Sequence, residues 1–147
     1  MFPATTKRVQ NHTADHVNQR IKADTDQRIR EIARQGRGAI NQRLAELDEE
    51  WDIERTLEAN AASVTLLGSV LGLTVDRRFM FLPAAVGLFL LQHAVQGWCP
   101  PMMWFRRMGI RTASEIDHER YALKALRGDF RAITSDEPSA AIVAARN

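Results

Sequence analysis

Residues 59 to 75, ANAASVTLLGSVLGLTV, carry no charge, and after the corner Asp76-Arg77-Arg78 residues 79 to 105 contain no Asp, Glu, Lys or Arg. At 1.5 Å rise per residue the first stretch reaches roughly 25 Å, and a helix from about Phe79 to Trp98 roughly 30 Å, the thickness of a hydrocarbon core. A three-residue corner leaves room for a turn alone, so the two helices are antiparallel neighbours. A soluble bundle would need apolar partners to cover both, and the flanking segments carry too few. The second stretch also lacks a polar stripe, and Phe79, Phe81, Trp98, Trp104 and Phe105 bracket it as interfacial aromatics do. The fold class expected is all-α, a membrane helical hairpin with an N-terminal cytoplasmic amphipathic or coiled-coil helix and a C-terminal amphipathic helix.

Charge follows the same division: residues 1 to 58 hold 10 Lys/Arg and 11 Asp/Glu, residues 59 to 105 hold 2 and 1, and residues 106 to 147 hold 8 and 6. A net charge of +2 with intermixed signs is no nucleic-acid footprint, which needs basic residues clustered on one face. The lipid bilayer is the partner expected, together with a homo-oligomer or a larger membrane complex. Residues 1 to 58 lack the regions of a signal peptide, so the first apolar stretch is expected to stay as an anchor. Near the spans, Arg43, Arg55, Arg106, Arg107, Arg111 and Arg120 lie on the side of the termini against Arg77 and Arg78 in the turn. This bias predicts a multi-pass protein of the bacterial inner membrane with both termini cytoplasmic.

The segments read from the sequence are a polar amphipathic helix over 1–38, a juxtamembrane helix over 39–58, the hairpin over 59–99, an interfacial amphipathic helix over 100–130 and a disordered tail over 131–147. In the first, Val9, Val17, Ile21, Ile29 and Ile32 form a narrow stripe, and Gly36 and Gly38 interrupt it as a hinge. Next, Ile40, Leu44, Leu47 and Trp51 recur at intervals of 4, 3 and 4, a cleaner stripe that suits a partner helix. Asp48, Glu49, Glu50, Asp52 and Glu54 read as a solvated acidic face beside it. Helix 114–127 shows Ile116, Leu123 and Leu126, with Phe130 beyond it, on one face and Arg120, Lys124 and Arg127 around them, a pattern suited to the inner leaflet.

Within the first span, Ala61, Thr65, Gly68 and Gly72 make a strip of small residues, the last two a GxxxG, where another helix can approach closely. That helix is either the second span or a second copy of the chain. Gln92, His93 and Gln96 are the polar groups of the second span, and intramembrane polar groups are functional candidates. Cys99 is the one cysteine, so no intramolecular disulfide forms. It precedes Pro100 and Pro101 at the end of the second span, where a thiol lowered in pKa by Arg106 or Arg107 would accept sulfur or respond to redox change. Glu115 and His118 form one ExxH, and a carboxylate metal bundle needs two such units with further Glu. No cofactor, metal site or catalytic constellation is expected from these residues.

DIERTLEANAASVTLLGSVLGL, from Asp52, resembles the opening of the YgaP-like transmembrane domain family, and GWCPPMMWFRRMGIRT resembles its closing G-[FW]-C-P…L-G-[IV]-x-T pattern. Together they cover about Asp52 to Thr112. The resemblance implies a two-helix inner-membrane domain able to dimerise, attached in some relatives to a rhodanese and associated there with sulfur or thiocyanate handling. This chain has no rhodanese loop, has Ala113 where relatives often carry another cysteine, and has a second proline at Pro101. The function expected is a non-enzymatic membrane anchor, scaffold or accessory subunit. The alternatives are a sulfur-carrier or thiol-redox component using Cys99, and a small transporter subunit.

Overall fold

In a computed structural model, which describes residues 4–131, 133 and 138–146, the chain is helical and no strand occurs among the described residues. It divides into two compact units, residues 1–21 with 51–113, and residues 22–50 with 114–147. This division cuts across the serial segments read from the sequence, because helices far apart in the chain supply each other's cover.

The first unit holds α1 (Arg8–Asn11), the start of α2 (Asp15–Gln35), α4 (Ile53–Thr74), α5 (Phe81–Gln96) and α6 (Pro100–Arg107); α3 (Arg37–Glu49) lies in the second. Asp52 caps α4 through its side chain, which accepts from the Arg55 N–H at 2.8 Å; such a cap is worth about 1 kcal/mol. Thr56, Asn60, Ser63 and Thr74 each donate to the carbonyl four residues back at 2.7–2.8 Å, so these polar groups ask nothing of their surroundings. Asp76 accepts from the Arg78 N–H and starts a single 3-10 turn, Arg77–Met80, that leads directly into α5.

Gly68 and Gly72 sit where α4 meets the start of α5 and the residue before it. A Cβ on Gly68 would lie 2.7 Å from Leu82 Cβ and 2.8 Å from Pro83 Cδ, and one on Gly72 would lie 2.7 Å from Met80 Sδ. Absence of a side chain is therefore what lets the hairpin close. The strip's glycines face their own second span.

Elsewhere the hairpin is bare. Leu66, Leu67, Leu73, Phe81, Leu88 and Leu91 are all more than half exposed, and the one residue α5 buries is His93. A soluble helix buries its leucines and exposes its histidine. The inversion is stable where the solvent is hydrocarbon, and both helical segments are long and apolar enough to cross a membrane. The protein is a membrane protein with transmembrane helices.

Where the sequence predicts one polar amphipathic helix over 1–38, the first unit uses its beginning as cover: Val9, Ile53, Leu57, Cys99 and Met102 form one core, with Trp98, Phe105 and Ile110 against it. Val17 and Ile21 are buried too. Arg106, 1% exposed, ties the segment down by donating to Thr13 Oγ1, Asn18 Oδ1 and the Ile110 carbonyl.

In the second unit the later part of α2, then α3 after a break at Gly36, and α7 (Ala113–Arg127) enclose Ile32, Ile40, Leu44, Leu47, Ile116 and Leu123. The stripe Ile40, Leu44, Leu47, expected to dock a partner, is thus closed against the chain's own α2 and α7, while Trp51 of the other unit stays half exposed under the Arg55 guanidinium. The same packing takes Ile116 and Leu123 from the face of α7 that the sequence assigns to a leaflet, while Leu126 stays exposed; the predicted helix 100–130 is two helices, α6 and α7, in different units. Glu119 is fully buried and bonded to Arg28 at 3.2 Å and Arg43 at 2.9 Å. The tail expected to be disordered contains α8 (Pro138–Arg146); residues 132, 134–137 and 147 lie outside the described residues.

Candidate functional site

Four chain segments converge at the end of the hairpin opposite its turn. Gly97 ends α5 in the left-handed region (φ 83), which glycine adopts without strain. A Cβ there would also stand 2.5 Å from Arg8 Cβ, so this glycine lets α1 seat on the end of α5. Next, Pro100 and Pro101 open α6 and hold Cys99 extended (φ −153, ψ 159), the backbone favoured before proline. That conformation leaves the Cys99 thiol buried.

The first turn of α4 presents Glu54 to the last turn of α5. Glu54 Oε2 lies 2.8 Å from His93 Nε2, and Glu54 Oε1 accepts from Arg8 Nη2 at 2.9 Å. Both carboxylate oxygens are engaged. Glu54 precedes the uncharged span, and the His93 hydrogen bond, opposed by burial and supported by Arg8, holds its carboxyl down at about 2. An ionised carboxylate only accepts, so Nε2 carries a proton.

His93 is 4% exposed, and its other nitrogen, Nδ1, is buried without a conventional hydrogen-bond partner. Beside the ring lies the Cys99 thiol. With Nε2 held by Glu54, the ring is fixed in orientation beside the thiol. The order Arg8, Glu54, His93, Cys99 is an oriented base next to a nucleophile, the logic by which weak nucleophiles are activated.

Of the residues singled out in the sequence, Cys99 and His93 are brought together. Gln96 is exposed and accepts from Trp98 Nε1 at 3.0 Å, and Gln92 is half-buried, so neither joins the constellation. Ala61 lines a cleft beside it, and Thr65 lies half-buried further along α4. The basic group next to Cys99 is His93 rather than Arg106, which holds Thr13 and Asn18. Glu54 and Arg8 were missed. A signal for Glu54 exists: at 54, 57 and 61 it shares a face with Leu57 and Ala61, which turn toward the second span. Nothing in the local sequence marks Arg8.

The cleft has a volume of about 260 Å³ and runs from Cys99 between α4 and α5. Leu57, Val64, Val86, Phe89, Leu90 and Phe105 wall it, and Asn60 is a polar group at its rim.

Residues 52–115 match the family model described as inner membrane protein YgaP-like, transmembrane domain. No curated protein and no solved structure matches the chain.

Proposed function

Starting from residues 52–115 as a YgaP-like transmembrane domain of the inner membrane, we propose that this protein is a multi-pass membrane thiol carrier. Cys99 is the acceptor, His93 its base, and Glu54 with Arg8 the positioning pair. The hairpin anchors the site at the cytoplasmic surface, both termini lying on that side as the arginine bias indicates. The observation that carries this reading is the burial of His93 beside Cys99 while its Nε2 is held by Glu54. The test is the rate at which Cys99 reacts with N-ethylmaleimide in native membranes at neutral pH. His93→Gln should slow it at least ~10-fold, the low end for general-base assistance; equal rates would remove the reading.

A second reading, an accessory subunit or scaffold built through helix association, is favoured by one feature of α5. Gly87 has nothing within 4 Å of where a Cβ would stand, and Ala84 beside it is exposed, so a second copy could approach there. Copy number in gentle detergent, compared with that of Gly87→Leu, separates this from the carrier reading, which needs one chain.

A further inference from the structure

Helix α6 buries Met102 and Arg106 and leaves its other side bare. Trp104 is 71% exposed, Met108 at the C-cap 73%, and Met103 and Arg107 are exposed with them. Positions 103, 104, 107 and 108 share one side of an α-helix, so this is a single apolar face with one cation in it. The face continues a surface already immersed in hydrocarbon. α6 starts four residues after α5 ends, and its Pro101 and Phe105 share a cleft with Val64, Phe89 and Leu90 of the spans. At the end of α6 a second cation joins Arg107: Arg20, exposed and in the same unit, donates from Nη2 to the Arg107 carbonyl at 2.6 Å. Among the described residues neither guanidinium has a carboxylate within ion-pair distance, whereas Arg8, Arg43, Arg120 and Arg127 each have one.

We propose that α6 lies at headgroup level in the leaflet on the side of the termini, with Met103, Trp104 and Met108 among the acyl chains, and that Arg20 and Arg107 together hold the phosphate of an anionic phospholipid. Tryptophan suits this depth because its ring is apolar while its N–H needs a polar neighbour. Burial of an apolar face with basic residues at its edge is how a helix binds in the plane of an interface. Guanidinium groups donate charge-assisted hydrogen bonds to phosphate oxygens, and the one N–H that Arg20 spends on the α6 carbonyl leaves its others to do so. A zwitterionic lipid brings its own ammonium group to the same place, so two unpaired arginines select a headgroup of net negative charge. The reactivity of Cys99 does not enter this proposal, which stands apart from the carrier reading.

Trp51→Phe with Trp98→Phe leaves Trp104 as the single tryptophan of the full-length protein. In reconstituted vesicles, brominated acyl chains quench a tryptophan that they touch, so brominated phosphatidylcholine and brominated phosphatidylglycerol read insertion and lipid preference together. Both should quench Trp104, with phosphatidylglycerol favoured at least ~5-fold, the effect of about one basic residue at an anionic surface. Arg20→Gln with Arg107→Gln should abolish the preference and keep the quenching. Arg30→Gln with Arg34→Gln, which removes the same charge from the second unit, should leave the preference unchanged. Should Trp98→Phe disturb the fold, the protein with its tryptophans intact decides: released from mixed micelles of the two lipids in a mass spectrometer, it should retain phosphatidylglycerol, and the Arg20, Arg107 double variant should not. Equal quenching by the two lipids overturns the proposal. Quenching by neither does so as well, the face then being covered by water or by another protein. A preference lost equally on removing Arg30 and Arg34 is a response to net charge alone and also overturns it.

Discussion

Gly68→Ala is the substitution whose outcome the structure fixes most tightly. The new methyl would stand 2.7 Å from Leu82 Cβ and 2.8 Å from Pro83 Cδ, where carbon atoms normally keep about 3.5 Å. The gap to be opened is about 0.8 Å, and neither neighbour can swing away: one is the first side-chain atom of Leu82, the other part of a proline ring. Helix must therefore move from helix. Overpacking of this kind costs about 1–3 kcal/mol, here toward the upper end, and the better helix propensity of alanine returns about 1 kcal/mol. The net loss is about 2 kcal/mol, a factor of roughly 30 in the unfolding equilibrium. Gly87→Ala is the control, because nothing lies within 4 Å of its Cβ position; it gains propensity without a clash. Unfolding by dodecyl sulfate in mixed micelles, read by tryptophan fluorescence, should separate the two variants by about 3 kcal/mol. Equal stabilities would mean that α4 and α5 do not meet at this strip and that Gly68 serves another molecule instead.

Gly97→Ala should destabilise by at least about 1–2 kcal/mol, the cost of a left-handed alanine. It should also open Cys99 to a charged methanethiosulfonate, because its methyl displaces Arg8; unchanged protection would argue that α1 does not seat there. Acid should erode the first unit through Glu54. Its carboxyl is lowered from 4.5 to about 2 in the folded chain, so its stabilisation is complete above the ordinary carboxylate value and is lost as pH falls toward 2. Thermal unfolding in detergent should show wild type ahead of Glu54→Gln near neutral pH and the difference closing in that window; a constant difference would place the effect elsewhere.

The hairpin was legible because uncharged length and a charged corner are properties of contiguous sequence. Cys99 and His93 were legible singly for the same reason, as polar or reactive groups in apolar surroundings. Their connection through Glu54 to Arg8 was not: it depends on α1 folding back onto a helix end far along the chain, and the acidic run from Asp48 to Glu54 conceals the one carboxylate that turns inward. Periodicity also shows that a face needs covering without saying what covers it. Ile40, Leu44 and Leu47 have the spacing of a docking stripe, yet Ile116 and Leu123 of the same chain occupy it. Likewise α7 carries the amphipathic pattern of a surface-bound helix but uses Ile116 and Leu123 internally, while α6 leaves Trp104 exposed.

The most direct test of the carrier account is a double-mutant cycle on Cys99 reactivity, using Glu54→Gln, His93→Gln and both together. Since Glu54 reaches the thiol only through the imidazole, the double variant should react no more slowly than His93→Gln alone. Rates that fall by the product of the two single effects would show that Glu54 and His93 act separately, and the chain from Arg8 to Cys99 would not be a functional unit.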